Sequence, residues 1–369
     1  MKILQWSASP ASDRGGRAAF VKDLADQLTE LGHEIIWAIT LEASSGHSVR
    51  AQDSSLILPS QERVSALQQK DFALYSAELQ KFLHSHRPDI IHCHKIGSIE
   101  SLILSAAATA LKIPILYTEH EAPTMEADEF FAKRNTILQR FSTVICPSEH
   151  SKSLLRKIFP SLAERFVSIP NGVPEPGSGV TNLVPQSVYF SGRHSPEKGA
   201  RWLLESWRLV LDSEPDAQLT IAGEGVETQD LLALSEQLGV ASSIRWPGWL
   251  ERDANLALMN SHQVVVVPSL WEEPFGLVAA EASAAGRPVI VSAVGALSNV
   301  VADGVTGIHV TPRDNNALAS AILRLLHNPQ EGEDMGRAGR ERAFKIFSIQ
   351  ACANLHINLY SSTIRESQE

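Results

Sequence analysis

What most constrains this chain is an alternation of short apolar runs with amphipathic stretches, repeated along the sequence and restarted once near its middle. Residues 1–7 (MKILQWS) read as a buried strand, and a loop follows over 8–16. Residues 17–31 carry Phe20, Val21, Leu24, Leu28 and Leu31 at the spacing of one helix face. Gly32 stands where a helix should stop, and 33–39 is the next strand. Strands are predicted again at 90–93, 115–118 and 144–146, with helices between them. Such alternation predicts a parallel sheet covered by helices on both faces.

The stretch 170–185 (PNGVPEPGSGVTNLVP) is too rich in proline and glycine to hold a regular element, and reads as a linker. The alternation then resumes. Strands are predicted at 187–191, 218–222, 243–246, 263–267 and 289–292, and helices at 199–211, 228–238, 252–261, 277–285 and 316–326. Two doubly wound α/β domains follow from this, and in such sheets ligands bind beyond the carboxyl ends of the strands.

Charge and cysteine content narrow the partners. The net charge of −10 disfavours a broadly cationic nucleic-acid binder, so no nucleic-acid partner is expected. The deficit is uneven: 18 basic residues face 20 acidic ones up to residue 175, and 14 face 22 after it. Cys93, Cys146 and Cys352 are too few and too scattered for a disulfide framework or a cysteine zinc site, which fits a reducing cytoplasm. No run approaches the roughly 20 apolar residues of a spanning helix, and the N-terminus does not read as a signal peptide.

Candidate chemistry lies in the loops after strands. Asp13-Arg14-Gly15-Gly16 follows the first strand, where paired glycines let an anion approach free helix N–H groups. The same glycines would also serve a plain tight turn, and the residues alone leave both readings open. Ser191-Gly-Arg193-His-Ser-Pro-Glu-Lys198-Gly199 takes the equivalent place in the second half. Arg193 and Lys198 there could offer a diphosphate a forked guanidinium and a point ammonium. After residue 175 the only other lysine is Lys345, which makes Lys198 a departure from local usage. Glu272-Glu273-Pro-Phe275-Gly276-Leu277 opens a small-residue helix carrying Glu281. A helix dipole accounts for Glu272 or Glu273, but Glu281 in that apolar helix must be paired or face a cleft. Carboxylates are natural acceptors for the paired hydroxyls of a ribose or hexose. His92 and His94 alternate onto one face, yet nothing nearby completes a metal ligand set, so no metal site is assigned. His120, just past a strand, is better placed to touch a substrate.

Taken in order, these motifs resemble the retaining glycosyltransferase family 4. The resemblance rests on Gly15-Gly16 with Leu31-Gly32-His33-Glu34, Asp89-Ile-Ile-His92-Cys-His94, His120 and Pro170-Asn171-Gly172-Val173. It continues through Gly192-Arg193, Glu197-Lys198-Gly199, Ala222-Gly223-Glu224-Gly225, Pro268-Ser269, Glu273-x7-Glu281 and Glu281-Ala282-x3-Gly286-x-Pro288-Val289. It implies an α/β fold of the GT-B type: two Rossmann-like domains facing across a cleft, with closure on substrate. The expected division is an acceptor domain over 1–170, a linker over 171–186 and a donor domain over 187–346, with 347–369 packing back on the first domain. The pattern of 347–361 puts Ile349, Cys352, Leu355 and Leu359 on one stripe.

The resemblance further implies a nucleotide-diphosphate sugar as donor, with no cofactor or metal. Arg193 and Lys198 would bind its diphosphate, assisted by backbone N–H groups at Gly15 and Gly16. Gly223 would line the nucleotide site, Glu281 the ribose, and Glu273 with the Phe275-Gly276-Leu277 amides the transferred sugar, which His120 would also touch. The acceptor would be a glycan or lipid-linked saccharide, as in surface polysaccharide or lipopolysaccharide synthesis. Where the family often has Gly-Gly-x-x-Glu, this chain reads Gly295-Ala-Leu-Ser-Asn299, so no donor contact is carried over to Asn299. Two alternatives are a sugar-nucleotide binding protein that does not transfer and a GT-B nucleotide-sugar epimerase.

A peripheral contact with an anionic membrane is a further expectation. Phe130, Phe131, Leu154, Leu155, Ile158 and Phe159 lie near Lys133, Arg134, Arg140, Lys152, Arg156 and Lys157. Basic residues beside apolar ones suit an interfacial helix, but the same apolar residues could face the first domain's core.

Overall fold

The computed structural model describes residues 1–8, 15–41, 50–52, 55–59, 69–94, 99–121, 134–175 and 183–369. They form two compact units, Met1–Gly172 with Ile349–Glu369, and Val173–Ser348. The first unit holds strands β1 (Lys2–Ala8), β2 (Glu34–Leu41), β3 (Arg50–Gln52), β4 (Ser55–Pro59), β5 (Ile90–Cys93), β6 (Ile115–Thr118), β7 (Thr143–Cys146) and β8 (Phe166–Ser168). Their order is β3-β4-β2-β1-β5-β6-β7-β8, parallel throughout except that β3 runs antiparallel to β4. Its helices include α1 (Gly16–Glu30), α2 (Gln69–His86), α3 (Ile99–Ala110) and α4 (Glu149–Ile158).

The second unit is a parallel sheet of β9 (Val184–Ser191), β10 (Gln218–Ala222), β11 (Ile244–Gly248), β12 (His262–Val267), β13 (Val289–Ser292) and β14 (Gly307–Val310). The order is β11-β10-β9-β12-β13-β14. Helices α5 (Ala200–Ser213), α6 (Thr228–Gln237), α7 (Arg252–Asn260), α8 (Leu277–Ala284), α9 (Leu297–Val300), α10 (Asn315–His327) and α11 (Pro329–Ile346) complete it. The strands read as unbroken apolar runs because both faces are covered. Val188, Phe190, Val264, Val266 and Ile290 join one core, while Tyr189, Val265, Val267, Val289 and Val291 join the other. Strand β9 starts at Val184, so the expected linker runs three residues too far.

In each sheet the chain reverses direction beside its first strand: β1 lies between β2 and β5, and β9 between β10 and β12. At such switch points the loops leaving the carboxyl ends diverge and open a crevice. Gly15 and Gly16 at the start of α1, and His94 after β5, therefore share one crevice edge; the loops after β9 and β12 share the other unit's.

The last helix, α12 (Ile349–Glu366), belongs to the first unit and packs on α1. Gly172 makes its approach possible: a Cβ there would stand 2.7 Å from the Ile349 Cα and 2.9 Å from the Cys352 Cβ. The face α12 buries is Cys352, Ala353, His356, Tyr360 and Thr363. Leu355, expected on the inner stripe, is 44% exposed. Phe347, expected with this helix, sits instead in the second unit's core, edge-on to Phe275 at 5.5 Å. The inner face of α12 is polar and aromatic because strand residues beneath it, His92 among them, are polar too.

Of the stretches considered for membrane contact, 128–133 lie outside the described residues. In α4, Leu155 is fully buried, Ile158 packs against the core, and Phe159 just beyond the helix is buried with them. The apolar side of this segment thus faces the first unit's core. No helix among the described residues is long and apolar enough to cross a membrane. All three cysteines are free and buried.

Candidate functional site

The second unit builds a cradle from three loops at the carboxyl ends of β9, β10 and β11. Gly192 donates its N–H to the Ala222 carbonyl at 3.1 Å, Gly223 to Gly248 at 2.8 Å, and His194 to Glu224 at 3.0 Å. Gly223 has φ +124°, and a Cβ on it would lie 1.9 Å from the Gly192 carbonyl oxygen. No side chain fits there, so the loops meet backbone to backbone. His194 packs beneath, with Nδ1 3.0 Å from the Thr228 hydroxyl and its ring edge-on to Trp246. Burial lowers its pKa, only partly opposed by Glu224.

Lys198 and Glu273 come together beside this cradle. Lys198 ends a short 3₁₀ turn, Pro196–Lys198, and Gly199 follows at φ +73°. A Cβ on Gly199 would lie 1.9 Å from the Pro268 carbonyl oxygen, and Leu270 donates its N–H to Glu197 at 2.8 Å. The loop after β9 is thereby fastened to the loop after β12. The outcome is a 2.6 Å bond from Lys198 Nζ to Glu273 Oε1, which also accepts from the Ser269 hydroxyl at 2.7 Å. The same ammonium sits 4.8 Å from the centre of the Trp271 ring. Glu273 is buried, and its carbonyl accepts from Ala296 N–H at 2.9 Å.

Glu281 lies on α8, whose N-cap is Gly276 at φ +99° with no side-chain cap bond. The first turn of α8 therefore carries N–H groups without a side-chain cap, at the positive end of the helix dipole. Arg252 Nη2 donates to Glu281 Oε1 at 2.9 Å. Sequence reasoning singled out Glu281 as needing a partner but missed Arg252. The available signal was its place at the first position of α7, where a cation opposes the helix dipole. Arg193 is exposed; its carbonyl accepts from Ser195 N–H at 2.9 Å, and its guanidinium makes no hydrogen bond or ion pair among the described residues. The Phe275 side chain is core, so only its backbone could meet a ligand. Asn299 is exposed, its carbonyl accepting from Arg342 at 2.8 Å.

The first unit gathers a separate group. Gly15 is the extended N-cap of α1 and Gly16 its first residue, with neither a side-chain cap bond nor an acidic residue in the first turn. Asp13 and Arg14 lie outside the described residues. Gln5 of β1 is in register with His92 of β5. The His92 nitrogens stand 2.7 Å from the Tyr360 and Thr118 hydroxyls. His94 Nε2 is 2.6 Å from Gln5 Oε1, and its Nδ1 is 3.1 Å from His120 Nε2. Burial lowers the pKa of all these imidazoles, His120 to about 3 with help from the Arg17 guanidinium, and His356 to about 4. Just before His120, the buried Glu119 carboxylate pairs with Arg134, and Tyr117 donates to it at 3.1 Å. Among the described residues no three His, Cys, Asp or Glu side chains gather as a metal ion would need.

Residues 14–175 match the family model described as Glycosyltransferase Family 4, and 180–342 the model described as Glycosyl transferases group 1. The chain is 32% identical over 269 residues to a phosphatidyl-myo-inositol mannosyltransferase of Mycobacterium leprae, covering 69% of this chain and 68% of that one. It is 29% identical over 304 residues to a glycogen synthase of Mycobacterium tuberculosis, covering 77% and 71%. Its fold matches that of Anabaena HepE, solved in complex with UDP, with a TM-score of 0.79 and 19% identity over 98% of this chain and 100% of that one.

Proposed function

We propose, from the premise that the chain belongs to glycosyltransferase family 4, that it is a retaining, metal-independent transferase using a nucleoside-diphosphate sugar. The observation that carries this reading is the Lys198–Glu273 bond beside loops that meet backbone to backbone at glycines. The pair holds a cation and a carboxylate ready where a sugar diphosphate needs one of each. When the donor enters, Lys198 moves to the diphosphate, joined by Arg193, and Glu273 is released to accept hydroxyls of the sugar. Lys198, Arg193 and the first turn of α8 then stabilise the departing diphosphate, the charge that develops in the transition state. Glu281, oriented by Arg252, accepts from the ribose.

The bond from the anomeric carbon to the bridging diphosphate oxygen breaks, and a bond to the acceptor oxygen forms on the same face. The acceptor's proton leaves on the diphosphate, so no enzyme nucleophile is required. Gly15, Gly16 and His120 complete the donor contacts in this proposal. The acceptor is a glycan or lipid-linked saccharide, with a role in surface polysaccharide synthesis. UDP bound to the Anabaena protein makes UDP-sugars the first donors to try.

The test incubates the chain with UDP-, GDP- and ADP-sugars and follows release of nucleoside diphosphate, with and without saccharide acceptors and with a chelator. The expected result is release from one donor class, accelerated by acceptor, indifferent to chelator and yielding an anomer of unchanged configuration. Conversion of the donor sugar without release would establish an epimerase instead, and binding without either would establish a binding protein.

A further inference from the structure

The first unit's polar cluster has an order that the proposed reaction does not use. Gln5, His94 and His120 form one chain of contacts: Gln5 Oε1 to His94 Nε2 at 2.6 Å, and His94 Nδ1 to His120 Nε2 at 3.1 Å. The residues come from three different elements, β1, the end of β5 and the end of β6. Gln5 and His94 are buried, and His120 is only partly so. The rings of His94 and His120 stack at 5.3 Å, and Phe20 of α1 closes on His120 at 5.6 Å. His120 Nδ1 makes no hydrogen bond among the described residues.

A neutral imidazole has one N–H and one lone pair, so each contact in such a chain fixes the next. The Gln5 carboxamide meets His94 through its oxygen, while its buried Nε2 has no hydrogen-bond partner among the described residues. With the Gln5 oxygen on His94, His94 must carry its proton on Nε2 and accept at Nδ1. His120 must then donate from Nε2, which leaves its Nδ1 a lone pair. Burial and Arg17 keep His120 neutral across the physiological range, so what it offers a ligand is decided by where its proton sits. A carboxylate in place of Gln5 would draw a second proton onto His94 and reverse the pattern; a neutral amide does not.

We infer that His94, held by Gln5, is a positioning residue that fixes His120 as a hydrogen-bond acceptor at Nδ1, suited to a hydroxyl of the transferred sugar. The sugar contact rests on the transferase reading above; the proton order does not. In a transferase, that acceptor would favour sugars bearing a free hydroxyl at the contacted carbon over deoxy analogues, which leave a partly buried acceptor unpaired.

Nitrogen-15 NMR of the histidine-labelled full chain at pH 7.5 tests the proton order directly. The expected spectrum shows Nε2 protonated and Nδ1 bare in both His94 and His120. His94→Gln can accept from His120 and donate to Gln5, and keeps His120 in that tautomer, whereas His94→Leu releases it into a mixture. In transfer assays His94→Leu lowers kcat about 10–100-fold with donor Kd unchanged, and His94→Gln stays within about threefold of the native chain. A proton on His120 Nδ1 in the native chain overturns the inference, as does a His94→Leu protein with native tautomer and native kcat. If His94→Leu does not fold, the native and His94→Gln spectra still decide. If no donor is turned over at all, the spectrum still decides the proton order while the transferase reading falls.

Discussion

Lys198 Nζ donates to Glu273 Oε1 at 2.6 Å and so ties the loop after β9 to the loop after β12, 75 residues on. Glu273 is 7% exposed, and its carboxylate depends on Lys198 and Ser269 for compensation. Removing the ammonium alone leaves a buried charge, so Lys198→Met should cost about 1–3 kcal/mol in urea unfolding. Adding Glu273→Gln should recover most of that loss while activity stays absent. A double variant as unstable as the sum of the singles would mean that the pair is not coupled.

Two glycines at close backbone approaches, one in the cradle and one fastening the loop beside it, give a second prediction. Gly199→Ala and Gly223→Ala each place a methyl group 1.9 Å from a carbonyl oxygen, at φ +73° and +124°. Each should lose about 3 kcal/mol or more, because the loop must move. Gly239→Ala has positive φ but open space, and should cost only about 1 kcal/mol. Thermal melts of the three variants compare the two effects, and equal losses would show that the close approach is not what holds the cradle.

Stability should fall as pH drops below about 6.5. In the unfolded chain the histidines titrate there, whereas burial pushes His356 down to about 4 and His120 to about 3. The unfolded state therefore binds more protons between those values, and acid favours it. His356 alone should cost about 2 kcal/mol on going from pH 7.5 to 5.0. Urea unfolding at the two values should show a pH dependence smaller by about that amount in His356→Leu. An identical pH dependence in the variant would contradict the assignment.

Much of this was legible because the strands are regular. Residues 90–93, 115–118, 218–222 and 289–292 were read with the boundaries observed, since buried parallel strands are short β-branched runs with clear stops. Three-residue strands such as β3 and β8 leave no periodicity to detect. Lys198, Glu273 and Glu281 stood out as charges placed against their surroundings. Arg252 did not, because its partner lies 29 residues away on another helix. The inner face of α12 misled for a related reason. Its pattern offered Leu355, but β1, β5 and β6 present Gln5, His92 and Thr118 on that side, and the matching face is His356 and Tyr360. Polar complementarity between elements some 270 residues apart has no signature in one helix's hydropathy.

Because α12 supplies His356 and Tyr360 to that cluster, ending the chain at Ser348 should destabilise the first unit selectively. Hydrogen exchange should show loss of protection in β1, β5 and α1, with β9–β14 unchanged. Native protection in β1 and β5 would refute the dependence.

The most direct test of the central claim is calorimetric titration of UDP, GDP and ADP into the native chain and into Lys198→Ala. One nucleotide is predicted to bind the native chain, with Kd at least about tenfold weaker in the variant, as loss of a charge-assisted contact to the diphosphate requires. Binding of none of the three to a folded native chain, or equal Kd for the two proteins, would contradict the account.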